Sequence, residues 1–185
     1  MDTIEAPRSA QEMRLEPVGW VRSKMKPAGP PAPGARGPAL ERVQAELVLN
    51  ERFAEAADGL EEFSHLIVLF WAHADVPAEE RCSVELSPIK LRPMGREDWP
   101  LVGVFATRCF DRPNPICATT ARLLERTGNV LRVEGLDAFD GSPIIDIKPY
   151  VPYFDSAADA TVPEWMSRLG ELLGSLRPSR DVPGD

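Results

Sequence analysis

The sequence predicts a mainly β protein with a single domain, and three patterns indicate this. Residues alternate with a period of two from Val102 to Thr107, as in a strand with a buried face. The stretch Phe63 to His73 is apolar on both faces, which is typical of a covered central strand. Strong turn residues, Asp140-Gly141-Ser142-Pro143, separate two further apolar segments. A length of 185 residues suffices for one domain with a buried core.

The N-terminal half is predicted to contain strands separated by a proline-rich loop. We expect a first strand from Leu15 to Val21 and a second from Arg42 to Leu49, where apolar residues again alternate. Between them, the prolines of Ser23 to Pro38 exclude a helix or a central strand. Glu51 to Leu60 predicts a short helical or turn segment before the central strand Phe63 to His73.

A stiff loop follows the predicted strand that ends at Arg108. Pro113 and Pro115 fix φ and remove two backbone donors between Cys109 and Cys117. The loop therefore presents polar side chains in a fixed arrangement at a strand end, where binding groups often lie: Arg108, Asp111, Arg112 and Asn114. Upstream, we expect a strand from Arg81 to Lys90 and a loop from Arg92 to Trp99.

Two hairpins are expected after this loop. The first turns at Thr127-Gly128-Asn129 and the second at Asp140-Gly141, with Asp137 and Asp140 at its tip. Asp146 lies inside an apolar strand and needs a hydrogen-bond partner if it is buried. The strands are Ala118 to Glu125 with Asn129 to Glu134, and about Val130 to Gly135 with Ile144 to Lys148.

A short C-terminal helix is predicted after a capping-box start at Thr161-Val-Pro-Glu164. Gly170 and Gly174 each weaken it by about 1 kcal/mol relative to alanine, so it needs a surface to pack against. Its apolar face comprises Trp165, Leu169, Leu172, Leu173 and Leu176. We divide the chain into an N-terminal extension (1–14), the β domain (15–155), and the C-terminal helix and tail (156–185).

The formal net charge of −8 argues against a protein that coats nucleic acid non-specifically. Residues 81–132 nevertheless carry nine basic and five acidic side chains, which indicates either a basic patch or a solvated surface of mixed charge. No apolar run reaches the roughly 18 residues of a membrane span, and the start lacks secretory-signal features, so we expect a cytoplasmic protein. Three cysteines without a Cys-x-x-Cys pair indicate neither a disulfide framework nor a zinc site.

Several phrases resemble the TrmO/TsaA-like family, which includes the VirR-like proteins. The similarity extends from about Pro17 to about Asp155, and the phrases occur in the family's order: Phe63-Ser64-His65, Gly103-Val-Phe-Ala-Thr-Arg108, Arg112-Pro-Asn-Pro-Ile116, Asp140-Gly141-x-Pro143 and Asp146-Ile-Lys-Pro-Tyr150. The resemblance implies a single-domain antiparallel β-barrel, a homodimer, and S-adenosylmethionine bound without a Rossmann domain. The characterised activity of the family is N6-methylation of threonylcarbamoyl-adenosine beside the tRNA anticodon.

The resemblance also implies a cofactor site built from His73, Arg108, Ile116, Ala118, Gly135, Leu136 and Asp137. Arg108 suits the methionine carboxylate, and Asp137 suits the ribose hydroxyls or the ammonium. Each also has a structural reading, Arg108 as a clamp on Asp111 or Asp146 and Asp137 as a turn residue. The loop Pro27 to Pro38 lacks the Pro-Arg-Gln phrase with which the family contacts the cofactor.

No catalytic residue is assigned, and the candidates are Asp140, Asn114 and His65. Each has an alternative structural role: Asp140 in its turn, Asn114 in its loop, and His65 as an imidazole at a strand start. His65 and His73 share strand parity but lie eight residues apart, too far for one metal ion. The methyl acceptor is tRNA by resemblance, with a small-molecule methyltransferase or a noncatalytic S-adenosylmethionine-binding protein as alternatives.

Overall fold

The computed structural model describes residues 14–25, 43–72, 89–110 and 112–175. Within these ranges, no helix is long and apolar enough to cross a membrane. The strands are β1 (Gly19–Ser23), β2 (Gln44–Leu49), β3 (His65–Trp71), β4 (Lys90–Leu91), β5 (Val102–Gly103), β6 (Ile116–Thr127), β7 (Val130–Glu134) and β8 (Pro143–Pro149). The α-helices are α1 (Pro152–Asp155) and α2 (Glu164–Ser175).

Six strands form a closed antiparallel barrel in the order β1-β2-β7-β6-β3-β8, and β4 pairs with β5 outside it. Alternate residues point inward, so β3 buries Leu66, Val68 and Phe70 and leaves the residues between them half-buried. At the close approach of β1 to β2, a Cβ on Gly19 would lie 2.3 Å from the Val48 carbonyl oxygen, which excludes any side chain there. The expected mainly β barrel with a short C-terminal helix is confirmed.

The barrel has two distinct ends. At one, which we call the loop end, β1, β3 and β7 finish and β2, β6 and β8 begin. The connections of 24–43, 72–115 and 135–142 therefore all start and finish at the loop end. The other, the hairpin end, carries the tight β6–β7 turn, the connection 50–64 and the start of α1.

One connection crosses each end of the barrel, because it joins strands on opposite sides of the ring. Residues 135–142 run from β7 to β8 over the loop end and bury Leu136 and Ala138 completely. Residues 50–64 run from β2 to β3 over the hairpin end as three short 3-10 turns, and they bury Ala57 and pack Leu60 on the core. Apolar side chains therefore close the core at both ends.

The predicted hairpin at Asp140-Gly141 is wrong. The strands that flank it are not neighbours, because β7 pairs with β2 and β6 whereas β8 pairs with β1 and β3. The turn itself exists, with Gly141 at φ 81°, but it ends the crossing segment 135–142. Turn residues report a change of direction, and they do not identify which strand lies beside which.

The strand expected from Val102 to Arg108 is also wrong beyond Gly103. Val104–Ala106 form a 3-10 turn that is closed by the Thr107 N–H and hydroxyl, both of which donate to the Val104 carbonyl oxygen at 3.1 and 2.8 Å. Only Val104 is buried in this turn. The alternating pattern in the sequence therefore corresponds to one buried side chain in a turn, and not to the buried face of a strand.

Most other elements agree with expectation. The β6–β7 hairpin, β2, the central position of β3, the turns before β3 and the terminal helix are confirmed. The first strand starts at Gly19, where pairing with β2 and β8 begins, and not at Leu15. The strand predicted from Arg81 to Lys90 falls outside the described residues except at its end.

Helix α2 packs on the segment that follows β4. The Trp165 ring meets Trp99 edge-on at a centroid distance of 6.3 Å, and Trp99 is 8% exposed. Arg92 donates to the Trp99 carbonyl oxygen, and the Arg96 guanidinium lies 5.8 Å from the Trp99 ring centroid. The helix therefore finds its packing partner within its own chain, in the connection between β3 and β6.

Candidate functional site at the loop end

The candidate site is built on an overhang of β6. Pairing between β6 and β7 begins at Arg122, so residues 116–121 have β3 on one side and no strand of the described chain on the other. The open edge lies at the loop end, where the segment 135–142 crosses the barrel. Backbone groups of this overhang are consequently accessible to side chains from the surrounding loops.

Arg108 binds this open strand. Its Nη2 donates to the Ala118 carbonyl oxygen at 2.6 Å, and the side chain is otherwise exposed. Arg112 organises the loop around it, because its Nη1 donates to the carbonyl oxygens of Thr107 and Cys109 at 2.9 and 3.2 Å. Arg108 is thus positioned by protein contacts while much of its guanidinium stays available to a ligand.

Asp137 reaches the next residue of the same strand. The Thr119 hydroxyl donates to its Oδ1, and the carboxylate is half-buried between Leu136 and Ala138, whose side chains lie in the core. Gly135, at φ 88°, begins the crossing segment, and its N–H donates to the Val43 carbonyl oxygen at 2.9 Å. Arg108 and Asp137 therefore attach to the adjacent residues Ala118 and Thr119.

The structure places two of the catalytic candidates at the same end. Asp140 accepts the Ser23 N–H at 3.0 Å, and its own N–H donates to the Met25 carbonyl oxygen at 2.9 Å. The exposed Asn114 accepts the Ile116 N–H at its backbone oxygen, at 2.7 Å. Asp140 has a turn role, and the side chain of Asn114 extends from the loop that leads into β6.

His65 lies at the opposite end of the barrel. It opens β3, whose seven residues separate it from the loop end by about 20 Å at the usual rise of a strand. Its Nδ1 lies 2.9 Å from the Ser64 hydroxyl, and its ring meets Tyr150 edge-on at 6.5 Å. The structure does not bring His65 together with Arg108. His73 and Asp111 lie outside the described residues.

Basic side chains differ in whether a carboxylate compensates their charge. Within the described ranges, Arg96, Arg126 and Arg132 pair with carboxylates, and the hydrogen bond from Arg96 holds the pKa of Asp98 below its ordinary value. Asp146 pairs with Lys148 at 2.6 Å, so it does not clamp Arg108. The basic side chains of the β3–β6 connection without a carboxylate partner in the described ranges are Lys90, Arg92, Arg108 and Arg112.

Comparison with known proteins agrees with this architecture. The family model described as the tRNA-methyltransferase O N-terminal domain matches residues 27–156, more than half of the chain. The chain belongs to the TrmO family. A crystal structure of TrmO from Pseudomonas aeruginosa superimposes with a TM-score of 0.63 at 32% identity, covering 86% of this chain and 64% of that one.

Relatives in the TrmO family differ in length and in the activity that their names state. A "probable S-adenosyl-L-methionine-binding protein" of Methanothermobacter thermautotrophicus is 41% identical over 149 residues, which cover 80% of this chain and 97% of that protein. The tRNA (adenine(37)-N6)-methyltransferase of Escherichia coli K12 is 37% identical over 156 residues, which cover 80% of this chain and 62% of that enzyme. The chain thus spans nearly all of the short relative and under two thirds of the long one.

Sequence reasoning missed Thr119 as a site residue. Thr119 shares inward parity on β6 with Cys117 and the buried Ala121, and it is the polar member of that row near the overhang. A polar residue in an inward row needs a partner, and that signal was present in the sequence. Its partner Asp137 was predicted, but in a hairpin tip and not in a segment that crosses the barrel.

Proposed function

We propose that this chain is an S-adenosylmethionine-dependent methyltransferase that modifies N6 of threonylcarbamoyl-adenosine beside the tRNA anticodon. The observation that carries the proposal is the attachment of a cation and a carboxylate, Arg108 and Asp137, to adjacent residues of the β6 overhang. S-adenosylmethionine carries a carboxylate, an ammonium and ribose hydroxyls, so this donor and acceptor set fits it. Membership of the TrmO family supports the same cofactor.

Arg108 binds the methionine carboxylate, and Asp137 binds the ammonium or the ribose hydroxyls. Ile116 and Ala118 line the site from β6, and Gly135 and Leu136 contribute backbone groups, because the Leu136 side chain is fully buried in the core. By resemblance, His73 also belongs to the site. These assignments use the family's residues at matching positions of this chain.

The cofactor, when bound, supplies a methyl group that is already activated by its sulfonium. The protein therefore has to orient the two reactants, exclude water and accept the proton that N6 loses. Asp140 is the candidate acceptor of this proton. One of its carboxylate oxygens accepts the Ser23 N–H, and the other has no partner in the described ranges. The Asn114 amide is not basic, so its role is to orient the acceptor.

Three observations bear on the methyl acceptor. The tRNA substrate is supported by the activity that the E. coli relative is named for and by four basic side chains of the β3–β6 connection without carboxylate partners in the described ranges. Noncatalytic cofactor binding is the second candidate, because the short archaeal relative is named only for binding S-adenosylmethionine. A small-molecule acceptor is the third outcome of an activity screen. We further propose that the working unit is a cytoplasmic homodimer.

Calorimetric titration with S-adenosylmethionine tests the proposal. Arg108→Ala should weaken binding roughly tenfold or more, because a charge-assisted contact is lost. Arg132→Ala, which removes a surface arginine paired with Glu125 on the barrel wall, is the matched control and should bind as the wild type does.

Transfer of labelled methyl to tRNA that carries threonylcarbamoyl-adenosine without the methyl group then tests the reaction. Cofactor binding without transfer to this tRNA would contradict the tRNA substrate. Absence of cofactor binding would overturn the whole proposal. Light scattering of the purified protein checks the dimer.

A further inference from the structure

We propose that Phe105 is a stacking platform for one unpaired base of the RNA that reaches the site. This inference rests on the proposed tRNA substrate and names the side chain that holds a base of it. Phe105 belongs to the 3-10 turn between β5 and Arg108, and it is 76% exposed. An aromatic ring so exposed beside a ligand site requires a reason, since burial of such a ring is favourable.

The turn holds the ring outward by anchoring the residue before it. Val104 is 3% exposed, and its N–H donates to the Ile89 carbonyl oxygen at 3.1 Å. Its own carbonyl accepts both the N–H and the hydroxyl of Thr107. With Val104 anchored on both sides, the backbone of the turn directs Phe105 away from the core and leaves its ring exposed. Because this backbone is already ordered, stacking of a planar ligand costs mainly the freedom of the side chain.

Arg112 supports the ring from one side. Its guanidinium carbon lies 5.6 Å from the centre of the Phe105 ring, and its Nη1 is held by the carbonyl oxygens of Thr107 and Cys109. In the described part of the chain, this cation is held by backbone carbonyl oxygens and has no carboxylate partner. The remaining surface of the ring is accessible in the described part of the chain.

Two further basic residues flank the turn that carries the ring. Lys90 lies on β4, opposite Gly103, two residues before Phe105, and Arg108 follows three residues after it. Proteins bind single-stranded RNA with exposed aromatic rings beside basic side chains: the ring stacks a base while the cations meet phosphates. Lys90, Arg108 and Arg112 have no carboxylate partner among the residues that the structure describes. An apolar protein partner would instead favour a surface without fixed charges.

Binding of a labelled anticodon stem-loop RNA, measured by fluorescence anisotropy at several salt concentrations, tests the platform. Phe105→Ala should weaken binding roughly tenfold or more without changing the salt dependence, because a stacking contact is lost and no phosphate contact. Phe105→Trp should retain binding. Phe154→Ala removes an equally exposed ring (71%) at the hairpin end, and it should bind as the wild type does.

Each outcome separates this inference from the proposed function. Equal RNA binding by Phe105→Ala and the wild type would overturn the platform and leave the methyltransferase intact. A change in molar mass on Phe105→Ala would place the ring between copies of the chain and also overturn it. If the wild type binds no RNA, the platform fails, and cofactor titration decides separately whether S-adenosylmethionine binds. Unchanged cofactor affinity in Phe105→Ala is expected and shows that the variant folds.

Discussion

The Thr119 hydroxyl connects Asp137, the carboxylate that we propose binds the cofactor, to the barrel wall. Thr119→Val keeps the shape of the side chain but removes the donor to Asp137. We expect weaker S-adenosylmethionine binding, by several-fold, because the carboxylate loses the contact that orients it. Calorimetry measures this, with Thr120→Val as control, since Thr120 is exposed and points away from the interior. Equal losses in both variants would mean that the effect is not specific to Asp137.

Residues of the candidate site could be predicted from the sequence where a motif contained them. They could be predicted less well where their position in the fold determined whether they belong to the site. Arg108 and Asp137 were predicted from the family resemblance and Asp140 as a residue of its turn, and the structure places all three at the loop end. His65, one of the two histidines, was also a catalytic candidate, yet it lies at the far end of β3. Position along a strand decides which end of a barrel a residue occupies, and strand direction is not readable from residue type.

At the scale of elements, the crossing segment 135–142 covers the core of the barrel at the loop end. Leu136→Ala removes a fully buried side chain from it, and we expect a loss of about 2–5 kcal/mol in the free energy of unfolding, because a cavity forms over the core. Urea denaturation followed by circular dichroism measures the change. Leu101→Ala, at a position 55% exposed, should change stability by less than about 0.5 kcal/mol. Similar losses of stability in the two variants would contradict the conclusion that segment 135–142 stabilises the fold by covering the core.

Helix α2 is attached to the site-bearing connection through one aromatic pair. Trp165→Ala removes the edge-on contact with Trp99, which is worth about 0.5–1.5 kcal/mol beyond the buried area. We expect faster cleavage within 164–175 in limited proteolysis, because the glycine-containing helix is not stable alone. Val162→Ala, at an exposed position just before the helix, is the control. An unchanged cleavage rate in Trp165→Ala would show that other contacts hold α2.

Element identity was largely predictable from periodicity, whereas pairing was not. The β6–β7 hairpin was recovered because its turn and its partner are adjacent in sequence. The Asp140-Gly141 turn carries an equally strong signal, but its flanking strands pair with β1, β2, β3 and β6. Non-local pairing depends on the whole arrangement of the barrel, which no local window contains.

At the scale of the whole molecule, the barrel closes at a short seam between β1 and β8. Gly19 and Trp20 of β1 pair with β8, and Pro143 at the seam has no N–H to donate. Val18 and Val21 extend the seam through hydrogen bonds to the carbonyl oxygens of Ile144 and Ser142. β3, by contrast, pairs along its length with β6 and over five residues with β8. We expect the seam amide of Val21 to exchange with deuterium faster than the amides of β3. Equal protection in exchange mass spectrometry would contradict this.

The order of the strands around the barrel also decides when the protein can complete its fold during synthesis. Gly19 pairs with Ile144, 125 positions later, so β1 leaves the ribosome long before its second neighbour exists. At about 5–20 residues per second, that interval is on the order of ten seconds. β3 likewise has neither neighbour until β6 is made. The nascent chain therefore exposes unpaired strand edges for most of its translation, which is the kind of segment that chaperones bind.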